Sequence, residues 1–292
     1  MNIGLLYKSL TPRDIQVLRA IEDLSSRHEY VPLEKIEKRT KILEEHLTLV
    51  LSKLNKLRLV KRETIGGYKS FRMTTLGYDM IAIDELVKKK VLVALGDKIG
   101  VGKESEIFVG LSTGGEKVAV KFLRIGRASF RRTKILRDWS RGPRSTWYEQ
   151  SKIAAEREYM ALKELVLVRA KVPTPYGYNR HVVVVEYLEG VELYKRPQLS
   201  DPEAVLNLIL DTLKTAYQDV GIIHSDLSEY NILINLDTQD PYIIDWPQYV
   251  YRDHPSSFEL LKRDVEYIVR FFNKVYGVGL TTDEALKKII GS

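Results

Sequence analysis

His224-Ser225-Asp226-Leu227-Ser228-Glu229-Tyr230-Asn231, with Ile243-Ile244-Asp245 one short hairpin further on, is the stretch that decides how this chain is read. A carboxylate and a carboxamide stand on one loop, and a second carboxylate follows an apolar pair. Together they form a set of hard oxygen donors. Magnesium takes such oxygens, and takes few of them from protein, when it bridges nucleotide phosphates. In that chemistry Asp226 faces an acceptor hydroxyl, Asn231 reaches the metal, and Asp245 supplies the second metal ligand. A helix-capping Asp and a loop Asn in an unrelated α/β protein would give the same fragments. The full His-x-Asp-x-x-x-x-Asn spacing followed by an apolar pair and Asp is much rarer, and it predicts phosphoryl transfer.

The preceding sequence supplies a nucleotide half. Gly96 to Val109 reads as strand, glycine turn, strand, with Gly100, Gly102, Lys103 and Ser105 at the turn. Glycine lets backbone amides approach phosphate with no Cβ in the way. No Gly-Lys-Ser/Thr opens a helix there, so it is not a Walker loop, and alone it reads equally well as an ordinary hairpin. Val118-Ala119-Val120-Lys121 adds a strand lysine able to neutralise α- and β-phosphate charge. Such a lysine needs a carboxylate partner on the next helix. Glu156 and Glu158 are the candidates, with Glu156 preferred. His181-Val-Val-Val-Val185-Glu186-Tyr187-Leu188 reads as a buried strand ending in a hinge. There the Glu186 carbonyl and the Leu188 amide would bond an adenine edge.

The whole chain sets wider bounds. Its 292 residues allow one large domain or two ordinary ones, and 44% apolar content is normal for a globular protein. No apolar run reaches membrane-span length, and the N-terminus lacks the pattern of a signal peptide. The absence of cysteine excludes disulfides and thiolate metal sites. These features lead us to expect a cytoplasmic protein with no membrane partner. A net charge of +7 favours a polyanionic partner.

Residues 1–90 read as a separate domain. Thr11-Pro12 opens a helix with Ile15, Leu18, Ile21 and Leu24 at helical spacing. A short second helix carries Leu33 and Ile36. A third runs from about Leu43 to Leu57, with Leu47, Val50, Leu51, Leu54 and Leu57 on one face. Two short strands around Gly66-Gly67 follow. Three helices and a hairpin make a winged helix. His46, Thr48, Ser52, Lys53, Lys56 and Arg58 would face a DNA or RNA backbone, with Lys61, Arg62, Lys69 and Arg72 on the wing. Protein binding is an equal reading, and Glu44 and Glu45 count against tight DNA reading. A helix over Tyr78–Val87 and the Lys88-Lys89-Lys90 linker close the domain.

Taken together these residues resemble the protein-kinase-like fold, and specifically the RIO family of atypical serine/threonine kinases. Gly100-Val-Gly102-Lys-Glu-Ser105 is similar to that family's shortened phosphate loop. Tyr178-Asn-Arg-His181 and Ile244-Asp245-Trp-Pro247-Gln248 resemble it too. A winged helix joined to such a kinase is similar to the second RIO subfamily. The expected architecture is therefore α+β: a winged-helix domain over 1–90, then a reduced bilobal protein-kinase-like fold over 91–292. Its small lobe is expected over 91–185, its hinge over 186–190 and its reduced large lobe over 191–292. The resemblance implies ATP and magnesium as cofactors, with manganese as an alternative. It also implies work on the immature small ribosomal subunit through rRNA and protein.

The departures from ordinary protein kinases are specific. The catalytic loop reads His-Ser-Asp, with no arginine to pair an activation-loop phosphate. Asp245 precedes Trp-Pro, and no Ala-Pro-Glu follows in 246–292. Residues 124–144 carry Arg124, Arg127, Arg131, Arg132, Lys134, Arg137, Arg141 and Arg144 against the lone acid Asp138, laced with Phe130 and Trp139. Such a loop could bind RNA, or carry a self-phosphorylated serine such as Ser129, or be a solvated connector. In RIO relatives the metal aspartate can itself take the phosphoryl group, which makes an ATPase switch through Asp245 the alternative to a protein kinase. A small-molecule phosphotransferase is a third reading, which the winged helix disfavours.

Overall fold

The computed structural model describes residues 2–102, 104–125 and 146–291. The chain forms two compact units. One is Met1–Asp97 with Gly110–Glu116, and the other is Lys98–Val109 with Lys117–Ser292.

The first unit contains α1 (Ile3–Lys8), α2 (Pro12–Ser25), β1 (Val31–Pro32), α3 (Leu33–Thr40), α4 (Glu44–Lys56), β2 (Val60–Ile65), β3 (Tyr68–Met73) and α5 (Thr75–Lys88). Thr11 and Asp14 form a reciprocal capping box at the start of α2, with Pro12 in the first turn. That helix buries Ile15, Leu18 and Ile21, and α4 buries Leu47, Leu51 and Leu54. Leu57, the residue that caps the end of α4, is only half-buried. Strands β2 and β3 pair from Val60↔Met73 to Ile65↔Tyr68. The two residues between them, Gly66 at φ 58° and Gly67 at φ 85°, have the left-handed backbone that a tight two-residue hairpin demands. Strand β1 completes the sheet in the order β1-β3-β2. Helix α5 begins at a Thr74 cap, a turn earlier than its apolar spacing suggests.

The second unit holds most of a five-stranded sheet, order β4-β5-β6-β8-β7, of which residues 94–97 and 110–111 fall in the first unit. Its strands are β4 (Ala94–Val101), β5 (Ser105–Leu111), β6 (Lys117–Leu123), β7 (Pro175–Asn179) and β8 (Val182–Glu186). The Val182–Val185 run is buried throughout, as suits an inner strand covered on both faces. Helix α6 (Trp147–Leu167) starts at a Thr146–Glu149 capping box and lays Ala154, Ala155, Ala161, Leu162 and Leu165 into the core.

The rest of this unit is largely helical. It holds β9 (Gly190–Glu192), α7 (Pro202–Thr215), β10 (Ile222–Ile223), β11 (Ile232–Asn235), β12 (Pro241–Ile243), β13 (Val250–Tyr251), α8 (Ser257–Tyr276) and α9 (Thr282–Ile290). Small sheets β12-β11-β9 and β10-β13 frame the loop 224–231. The α+β architecture is the expected one, a winged helix and a reduced bilobal kinase-like fold. Among the described residues no helix is long and apolar enough to cross a membrane.

Candidate active site

Strand β6 alternates its side chains, and Lys121 points from it into a buried position. Lys121 Nζ lies 2.8 Å from Glu158 Oε1 and 2.7 Å from Asp245 Oδ1. Burial opposes the charge on Lys121, but the two carboxylates together outweigh it and hold the ammonium above its ordinary range. Burial also pushes the Glu158 carboxyl up, against the pull of Lys121. Glu158 Oε2 is buried with no hydrogen-bond partner among the described residues.

The preference for Glu156 as the partner of Lys121 is thereby corrected. Residues two apart on a helix point nearly opposite ways. Glu158 shares the buried stripe of Ala154, Ala155, Ala161 and Leu162, whereas Glu156 is exposed and accepts from the Tyr178 hydroxyl at 3.1 Å. That small-residue stripe is the signal in the sequence that singles out Glu158.

The loop 224–231 is built around a buried histidine. His224 Nε2 donates to Ile244 O at 3.0 Å, and its Nδ1 accepts from the Asp226 amide at 3.3 Å. Burial lowers its pKa from 6.5 to about 4, so the ring is neutral and bridges the two halves of the donor set. Its ring centroid is 4.7 Å from that of Trp246, which is fully buried.

The Asp226 side chain is exposed, as an acceptor-facing carboxylate must be. Asn231 Nδ2 donates to Asp226 O at 2.8 Å. This fixes the amide orientation and leaves the amide oxygen as the atom offered to a cation. Asp245 has φ 69° and Ser225 φ 61°. Both are left-handed conformations that side-chain-bearing residues adopt at a cost, and they sit on either side of the site. One carboxylate and one amide oxygen suit a hard cation that keeps most of its shell for phosphate and water.

Asp264 is a residue of the site that sequence reasoning misses. From α8 it accepts the amides of Ser225 at 2.6 Å and Leu227 at 3.2 Å, pinning the backbone on both sides of Asp226. Burial raises its pKa to about 7 against Arg263 and those two amides. Arg263 in turn donates to Ser225 O. The clue in the sequence is an aspartate inside the apolar stripe Leu260, Leu261, Val265, Ile268.

At the nucleotide loop, the Gly102 amide donates to Ser105 O at 2.9 Å. A Cβ on Gly102 would stand 3.2 Å from Ser105 Oγ, while one on Gly100 would meet only the Ile107 side chain at 3.7 Å. Lys103 lies outside the described residues. At the hinge, the Glu186 amide donates to Thr174 O at 2.8 Å, and the Glu186 carboxylate folds back to accept the Thr174 amide at 3.1 Å. Leu188 stands two residues past β8, half-buried.

The basic residues divide. Lys53 is not available to phosphate: its Nζ lies 2.5 Å from the buried Asp14 carboxylate and 3.2 Å from Ser9 O. Arg72 pairs with Glu29 at 2.7 Å. Lys61, Arg62 and Lys69 on the wing are exposed, as are His46, Thr48, Ser52, Lys56 and Arg58. Arg124 is buried and holds Glu106 at 3.1 Å, so it is committed within the fold rather than offered to RNA. Arg127, Ser129, Arg131, Arg132, Lys134, Arg137, Arg141 and Arg144 lie outside the described residues.

A paired strand lysine, a metal-suited aspartate and asparagine, and an exposed loop carboxylate under a glycine-turned hairpin define a kinase-like phosphotransferase fold. Similarity to known proteins narrows the class. The RIO domain model matches residues 106–285, and the Rio2 N-terminal model matches residues 7–89. The chain is 39% identical to the RIO-type serine/threonine-protein kinase Rio2 of Methanocaldococcus jannaschii, over 85% of this chain and 91% of that one. It is 33% identical to the serine/threonine-protein kinase rio2 of Schizosaccharomyces pombe, over 91% and 77%. It superposes with a TM-score of 0.81 on a Rio2 kinase from Chaetomium thermophilum, solved as an ADP/Mg2+-phosphoaspartate complex. That match has 31% identity and covers 99% and 89% of the two chains. The chain belongs to the RIO family of serine/threonine-protein kinases, within its Rio2 group.

Proposed function

We propose that this chain is an ATP- and magnesium-dependent serine/threonine protein kinase that phosphorylates itself and acts in maturation of the small ribosomal subunit. The observation that carries the first part is the Lys121 bridge: one buried ammonium meets Glu158 at 2.8 Å and Asp245 at 2.7 Å. That assembly has the charges that ATP phosphates and their cation require. Lys121 would hold the phosphates, helped by the turn at Gly100, Gly102 and Ser105. Asp245 and Asn231 would hold magnesium, or manganese in its place. Bound there, the cation supplies neutralisation of charge developing on the transferred group. Asp226 is exposed to orient an acceptor hydroxyl and to accept its proton.

The ribosomal part rests on family membership, the charge of +7 and the exposed wing cations Lys61, Arg62 and Lys69. RNA is the partner those cations favour, and the same reading makes the protein cytoplasmic. A second reading is favoured by one observation, the phosphoaspartate in the Chaetomium thermophilum kinase. Under it Asp245 accepts the phosphoryl group and the chain is an ATPase switch on the assembling particle.

The test is incubation with γ-labelled ATP and magnesium, alone and with immature small-subunit particles. Stable label on serine or threonine is the expected result. Free phosphate with only base-labile label would favour the switch, and no ATP consumption would overturn both readings.

A further inference from the structure

The backbone around Asp245 is tied down by side chains. Ile243 O accepts from Trp246 Nε1 at 3.0 Å, Ile244 O from His224 Nε2 at 3.0 Å, and Gln248 O from Ser225 Oγ at 2.5 Å. Arg157 takes two more carbonyls. Its Nε donates to Pro247 O at 3.0 Å, its Nη2 donates to Tyr249 O, and its guanidinium lies 4.1 Å from the centre of the Tyr249 ring.

Arg157 stands on α6 beside Glu158, so these bonds close a circuit. Glu158 holds Lys121, Lys121 holds Asp245, and the chain running on from Asp245 returns through Pro247 and Tyr249 to Arg157. Asp245 sits at φ 69°, a conformation that persists only when its surroundings enforce it. No arginine precedes Asp226 to bind a loop phosphate.

We propose that Arg157 is the positioning residue that fixes Asp245 for metal binding, tying the metal ligand to the helix that carries Glu158. The inference rests on the magnesium-dependent kinase reading. Arginine suits the task because a planar fork can span two carbonyls while its face lies on a ring. A lysine can reach only one.

The full chain would be compared with Arg157→Met and Arg157→Lys. One readout is hydrogen exchange of the 244–251 amides without nucleotide. The other is the magnesium needed to half-saturate binding of a fluorescent ADP analogue, beside its affinity without metal. We expect Arg157→Met to speed exchange selectively in that segment. It should raise the magnesium requirement roughly 10- to 100-fold, the usual cost of removing a group that supports a metal ligand. Metal-free affinity should stay within about twofold, and Arg157→Lys should fall between.

An unchanged magnesium requirement in a folded Arg157→Met chain would overturn the proposal. So would equal weakening with and without metal accompanied by faster exchange throughout the chain. Should Arg157→Met not fold, Arg157→Lys carries the test, because a lysine can hold only one of the two carbonyls, and an unchanged requirement there overturns the proposal equally. Wild-type chain that binds the analogue with no dependence on magnesium would instead sink the kinase reading, and the exchange data alone would then judge Arg157.

Discussion

Lys121 Nζ stands 2.7 Å from Asp245 Oδ1, so the lysine expected to meet phosphate and the aspartate expected to meet metal neutralise one another. Glu158 holds the same ammonium from the other side at 2.8 Å. A nucleotide with its cation would satisfy both halves of the Lys121–Asp245 pair at once, while Glu158 would keep its hold on the ammonium. This makes the separate carboxylates experimentally distinguishable.

Glu158→Gln should lower phosphoryl transfer on the order of 100-fold, the scale of removing one fixed electrostatic partner at a reacting group. It should also destabilise the fold by roughly 1–3 kcal/mol, because the buried ammonium loses one of its two charged partners and keeps only Asp245. Glu156→Gln should leave both within experimental scatter. Turnover and urea unfolding of the two variants decide it, and equal effects would refute the assignment of the helix carboxylate.

Asp226→Asn should reduce phosphoryl transfer by roughly 100- to 10,000-fold, the range for a general base. Its side chain is exposed, and the loop backbone is held independently by Asp264. ADP affinity and melting temperature should therefore be nearly unchanged. Isothermal titration beside a γ-label assay separates the two, and a fully active variant would remove Asp226 from its role.

Two buried groups give opposite pH signatures. His224 is depressed from 6.5 to about 4, so the unfolded chain binds the extra proton between those values. Its contribution is present above pH 6.5 and is lost as pH falls toward 4, amounting to about 3 kcal/mol at roughly 1.4 kcal/mol per unit. Asp264 is raised from 3.8 to about 7, so its contribution is lost as pH rises through that window. The two slopes oppose each other in the wild type. In urea unfolding between pH 4 and 7, His224→Phe should fall more steeply with rising pH than wild type, and Asp264→Asn should rise more steeply. Parallel curves would show that neither group is buried as described.

On the winged helix, Lys61→Glu with Arg62→Glu and Lys69→Glu should weaken RNA binding and flatten its salt dependence, because a protein that neutralises fewer phosphates releases fewer counterions. Lys53→Glu should act differently. It places a second carboxylate against the buried Asp14, so it should lower the melting temperature. Filter binding over a salt series, with thermal melts, checks both; an unchanged salt slope in the wing variant would take those cations out of the interface.

Much of the architecture is legible in the sequence because it depends on local spacing. The two-residue Gly66-Gly67 turn, the Thr11-Pro12 helix start and the period of Leu47, Leu51 and Leu54 each state their own geometry. Less legible are elements whose order comes from a distant partner. Two-residue β1 exists because Val31 and Pro32 pair with Phe71 and Ser70.

The same division runs through the site. The sequence by itself singled out Lys121, Asp226, Asn231 and Asp245 and their order along the chain, because those residue types at those spacings have few other uses. Only the tertiary structure decided which glutamate faces Lys121, that Asp264 caps the backbone around Asp226, that Lys53 is committed to Asp14, and that Arg157 grips the chain beyond Asp245. Those choices depend on how helix faces rotate against a sheet and on which buried polar groups must find partners. A sequence read along its length states neither.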